Sequence, residues 1–116
     1  ELVAESFRMQ INAAVADSLG LCVFGRSVTD ENLELIANAI NDAFDAGVTP
    51  DFIRNIGVET LRLEAAFNNA AGFGEDDDEL PAFFLEEPLP PTGKMARLYS
   101  REVNAAMQNL MEAQSL

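Results

Sequence analysis

The sequence has no histidine and no tryptophan, and it has one tyrosine and one cysteine, Cys22. Without histidine there is no Ser-His or Cys-His pair to activate a nucleophile. A lone cysteine cannot close an internal disulfide, which fits a reducing compartment. No glycine-rich loop with a following lysine is present to cradle a phosphate. Positive charge is also scarce: seven Lys and Arg stand against twenty Asp and Glu, for a net charge of -13. That field repels phosphate backbones and anionic lipid, so neither nucleic acid nor a membrane surface is expected as a partner. Apolar runs fall far short of the roughly 20 residues that span a bilayer, and the first residues lack the basic and apolar regions of a signal peptide. The expected location is cytoplasmic.

What remains is a chain built to fold. With 116 residues, 48% of them hydrophobic, it is long enough for a single helical domain over 1–116 with one core. The opening "ELVAES" has no initiator methionine and begins inside a helical pattern. It is expected to be a piece of a larger protein.

Apolar residues at Phe7, Ile11, Ala14, Val15 and Leu19 share one helical face, so a first helix should run to about Ser18. Gly20 can take the left-handed conformation that closes it, with Leu21 packing back on the last turn. A short connection around Gly25 leads to a second helix, with Thr29 as N-cap, a stripe of Leu33, Ile36, Ala37, Ile40 and Phe44, and Gly47 as its end. "VTPDFI" is a strong start for a third: Thr49 caps, Pro50 takes the first position, and Val48 can staple onto Ile53. That helix should reach about Ala71, presenting Ile53, Ile56, Leu63 and Phe67, with Gly72 beyond it. Gly57, in mid-helix, implies close packing of another helix, because glycine there costs about 1 kcal/mol relative to alanine.

Residues 73–95 hold every proline but Pro50, together with "EDDDE" and "FFLEEPLPP". An irregular strap is expected, with a helical turn at Leu80 to Leu85, lying against the helices because Phe83, Phe84 and Leu85 are too apolar for a free linker. Tyr99, Val103, Ala106, Met107 and Leu110 line a last helix. No alternating strand pattern occurs. The expected fold is all-α: about four helices plus a Pro-rich acidic strap.

Candidate chemistry is confined to "DSLGLC", residues 17–22. Cys22 is the only soft metal ligand, and its plainer reading is a small buried apolar residue after a helix cap. Asp17 sits near a helix C-terminus, where the dipole slightly disfavours a carboxylate, so a partner is worth seeking, although its plainer reading is a solvated carboxylate. A carboxylate accepts two parallel N–H bonds from a guanidine-like edge, and an aminopterin ring presents one as well as arginine does. Gly20 would allow close backbone approach, with Cys22 two residues on. The acidic run Glu75 to Glu79 lacks the ligand spacing of a calcium loop and reads as solvated surface. Tyr99 and the phenylalanines read as core, and Glu86 with Glu87 give weak support for acid–base work.

"DSLGLC" resembles the Asp-x-x-Gly-Leu-Cys motif of the aldehyde:ferredoxin oxidoreductase family, tungsten enzymes with a bis-pterin cofactor and a 4Fe-4S cluster. "LEAAFNNAAGFGEDDDELPAFFLEEPLP", residues 63–90, is similar to that family's C-terminal signature, without a gap. The resemblance covers about residues 10–92 and implies a C-terminal helical region. It implies that Asp17 hydrogen-bonds a pterin, that Gly20 and Leu21 line the cofactor through their backbone, and that Cys22 is the fourth cluster ligand. The other three cysteines would lie upstream. Tungsten or molybdenum bis-pterin and the cluster would belong to the full-length protein, none being expected in the fragment alone, and no catalytic acid or base falls within it. Partners implied are upstream domains of the same chain, an aldehyde, and ferredoxin or another electron carrier. Two rivals stand beside this reading: a non-enzymatic acidic helical interaction module, and, within the family, an aromatic-ring reductase subunit. If the enzyme reading holds, residues Asp17 to Phe24 should form an exposed apolar patch.

Overall fold

The computed structural model describes residues 2–112. Among these the chain forms six α-helices: α1 (Leu2–Ser18), α2 (Arg26–Thr29), α3 (Leu33–Phe44), α4 (Pro50–Ala71), α5 (Phe83–Glu86) and α6 (Ser100–Glu112). Two 3-10 turns, Val23–Gly25 and Glu75–Asp78, complete the regular structure. The described residues contain no strand, only an isolated bridge between Leu89 and Lys94. The fold is all-α, as the periodicity requires. Contacts divide the chain into two compact units, one of Phe7–Glu64 and one of the residues flanking it.

In the first unit, Val15 of α1, Ile36 and Ala37 of α3 and Ile53 of α4 form the buried cluster, with Leu19, Leu21 and Val48 among the half-buried residues packed on it. Ile53 is fully enclosed, a burial worth roughly 2–3 kcal/mol. The helical glycine has the neighbour expected of it: a Cβ on Gly57 would strike the carbonyl oxygen of Ile11 and approach Val15 Cγ2 at 2.9 Å. Helices α1 and α4 therefore touch backbone to backbone at this point.

The third sequence-predicted helix begins as expected, with Pro50 at its first position and Thr49 Oγ1 accepting the Phe52 N–H at 3.2 Å. The preceding loop is held by Asn41, whose side-chain amide donates to the Val48 carbonyl at 2.8 Å and accepts its N–H at 2.7 Å. This pairing mimics a backbone ladder and fixes Val48 against the core.

Several expectations are corrected. The N-cap of α3 is Asn32, whose Oδ1 accepts the Leu35 N–H at 3.2 Å. Thr29 belongs instead to the unforeseen helix α2, where its hydroxyl donates back to the Gly25 carbonyl. Helix α3 stops at Phe44 with Asp45 left-handed at φ 50, before Gly47 is reached. Phe44, at the last turn of α3, is exposed, as are Leu63 and Phe67 of α4. Phe7 is core, but Phe83, Phe84 and Tyr99 remain about half exposed.

In the second unit, α4 ends before Gly72, and α5 falls within the expected turn at its start and one residue beyond it at its end, beginning at Phe83 and not at Leu80, with the Phe83 and Phe84 rings 4.3 Å apart. The acidic run is not merely solvated. Asp77 accepts the Gly74 N–H at 2.7 Å, Asp78 accepts from Asn104 at 3.1 Å, and Glu79 accepts the Ser100 N–H at 3.3 Å. Glu79 thus caps an orphan donor at the start of α6, and the acidic turn of the strap rests on that helix.

Candidate functional site

Helix α1 ends in a Schellman closure. Gly20 adopts φ +66, its N–H donates to the Asp17 carbonyl at 3.2 Å, and the Leu21 N–H donates to the Ala16 carbonyl at 2.8 Å. Only glycine takes this conformation at low cost. A Cβ placed on Gly20 would meet nothing within 4 Å, so backbone shape, not crowding, requires glycine here, and the surface above it is open.

Leu21 turns back onto the core cluster, which anchors the residue beside it. Cys22 is extended, at φ -66 and ψ 128, and its carbonyl accepts the Gly25 N–H at 2.9 Å to start the 3-10 turn. Its thiol is exposed. The plainer reading of Cys22 as a buried apolar residue is therefore set aside. Asp17 is exposed as well, and its side chain makes no hydrogen bond or ion pair among the described residues. One helix end thus presents a free carboxylate, an open glycine backbone and a free thiol within six residues.

The apolar patch expected around this turn is present. Val23, Phe24 and Val28 are 64%, 94% and 58% exposed. Beside it lies a surface dimple lined by Val15, Ala16, Leu21, Asp30 and Leu33 among others.

Sequence reasoning missed the ion pair that follows the cysteine. Arg26 Nε donates to both Asp30 carboxylate oxygens at 3.2 and 3.1 Å, and Nη2 stands 3.0 Å from Oδ2. The hydrogen bonds that Arg26 donates to Asp30 hold its guanidinium above its ordinary range, with a smaller push from the charge of Asp17. Its positive charge is constant at any physiological pH. Opposite charges four apart were the available signal, hidden because the stretch reads as a connection, not a helix.

Among the described residues no three His, Cys, Asp or Glu side chains gather as metal ligands. Cys22 offers one thiolate with room around it, and a cubane cluster takes about four. The residues present could serve only a shared site, with Cys22 as one ligand and Asp17 as one hydrogen-bond acceptor.

A family model described as aldehyde ferredoxin oxidoreductase, domains 2 & 3, matches residues 3–113. The chain belongs to the aldehyde ferredoxin oxidoreductase family. No individual curated protein and no solved structure gives a match. Within this family membership, the Asp17–Cys22 turn is the part of the chain whose exposure and donor chemistry single it out. No helix among the described residues is long and apolar enough to cross a membrane.

Proposed function

We propose that this chain is the C-terminal helical part of a tungsten- or molybdenum-pterin oxidoreductase that oxidises aldehydes to carboxylic acids. The exposed thiol of Cys22, two residues past a glycine-closed helix end, supports this reading most directly. Cys22 would supply one ligand of a 4Fe-4S cluster, completed by cysteines upstream. Asp17 would accept two parallel N–H bonds from a pterin ring. Gly20 and Leu21 would line that ring through their backbone, which the open space over Gly20 permits.

When bound, the metal-pterin centre and the cluster would take two electrons from the aldehyde and pass them singly to ferredoxin or a similar carrier. This chain's own residues hold, orient and wall the site. The rigid closure at Gly20 fixes the Asp17 and Cys22 backbones on one turn. Leu21, half-buried and packed against the core, keeps that turn from swinging, which is the preorganisation a shared site needs. Val23, Phe24 and Val28 would pack against the upstream domains and exclude water from the cluster. No proton-transferring residue is assigned to this chain, which is expected to be inactive alone.

The test uses the intact protein, expressed with tungstate or molybdate and purified without oxygen. It should be coloured, contain iron with tungsten or molybdenum, and reduce a ferredoxin when given an aldehyde. A colourless, metal-free protein would leave the acidic interaction module as the better account.

A further inference from the structure

The Asp17–Cys22 turn is held at a second point besides Leu21. The Ser18 and Thr60 hydroxyl oxygens lie 3.3 Å apart, and Thr60 Oγ1 also donates to the Ile56 carbonyl, one turn back on α4, at 2.9 Å. A hydroxyl has one hydrogen to give. Because Thr60 gives its own to Ile56, Ser18 is the donor between the two, and the bonds run from Ser18 to Thr60 to the α4 backbone. The back-bond to Ile56 holds the Thr60 side chain in one rotamer, so its oxygen stands at a set place on the helix. One turn earlier α4 meets α1 at Gly57, where a Cβ would strike the Ile11 carbonyl. That close approach brings the short Ser18 side chain within reach.

We infer that Thr60 is a positioning residue, which acts through Ser18 to fix where on α4 the cofactor-facing turn sits. This rests on the proposed roles of Asp17 and Gly20. The apolar packing of Leu21 resists lifting of the turn but has no preferred direction, whereas a hydrogen bond sets angle as well as distance. A shift at Ser18 would carry the Asp17 carboxylate and the Gly20 backbone with it, and a parallel pair of N–H bonds to a ring tolerates little misplacement. The contact lies at the surface, so its share of stability is small. Its consequence belongs to ligand retention, which a plain brace between helices would leave untouched.

The test uses the full-length protein purified anaerobically. It measures pterin per polypeptide, by fluorescence after oxidative release, together with amide hydrogen exchange across the turn and the thermal midpoint. Thr60→Val keeps the side-chain shape and removes the hydroxyl. It should retain several-fold less pterin and exchange the Gly20 and Leu21 N–H several-fold faster, at a nearly unchanged midpoint. Thr60→Ser keeps the hydroxyl and should behave as the unaltered protein. Ser18→Ala should reproduce the loss, and the double variant Ser18→Ala with Thr60→Val should lose no more than either alone, since all three lack the same bond. Unchanged pterin or unchanged exchange in Thr60→Val would overturn the inference, as would losses that add in the double variant. Asp17→Asn separates this role from the reading beneath it: if that variant binds pterin normally, the role of Asp17 is wrong, whereas loss there with full retention in Thr60→Val removes only the role of Thr60.

Discussion

Helices α1 and α4 end the same way and lead to different places. At Gly20 and at Gly72 the chain turns left-handed, at φ +66 and +93, and the next residue reaches back to close the last turn. After Gly20 the closing residue, Leu21, packs on the core. After Gly72 the equivalent residue, Phe73, is 56% exposed. The closure is a local device encoded by one glycine, whereas what it aims at depends on packing elsewhere. At the first end the device holds an exposed thiol steady; at the second it introduces the acidic strap.

The sharpest way to break this comparison is to remove the support beneath the first end. Gly57→Ala puts a methyl into the Ile11 carbonyl and should destabilise the protein by about 3 kcal/mol, seen as a fall in thermal midpoint, although alanine is the better helix former. Next in size is the closing residue: Leu21→Ala should cost about 2 kcal/mol in urea unfolding, and Phe73→Ala clearly less. Asn41→Ala removes both bonds to Val48 and should also cost about 2 kcal/mol, the sum of two ordinary hydrogen bonds. Smallest are the two glycines, where Gly20→Ala and Gly72→Ala should each cost about 1 kcal/mol for left-handed backbone. Their stability losses should match, but only Gly20→Ala should lower the iron content of the intact protein. Iron lost equally in both would mean that the first turn has no special standing.

Much of this fold was legible because its signals are local. Pro50 with Thr49, and Gly20 after Leu19, act within one turn of chain, and both helix ends fall where those residues stand. Burial was less legible. Leu63 and Phe67 continue the apolar rhythm of α4, yet in this structure they face outward, because periodicity marks a face without naming what covers it. Thr29 and Asn32 are both competent caps three residues apart, and the choice between them turned on α2, a four-residue helix too short to announce itself. The candidate site divides in the same way. That Asp17, Gly20 and Cys22 share one turn at a helix end could be read from spacing. The hold of Asp30 on Arg26 could not, since it needs a helix that only the folded chain supplies.

The central claim is that Cys22 ligates iron as part of a cluster completed by other cysteines. The measurement that tests it most directly is iron per polypeptide, with the visible absorption spectrum, for the intact anaerobic protein and its Cys22→Ser variant. The account predicts about four irons and a brown colour in the unaltered protein, with marked loss of both in a variant that still shows its helical circular dichroism. Full iron retained after Cys22→Ser, or no iron in either protein, would contradict it.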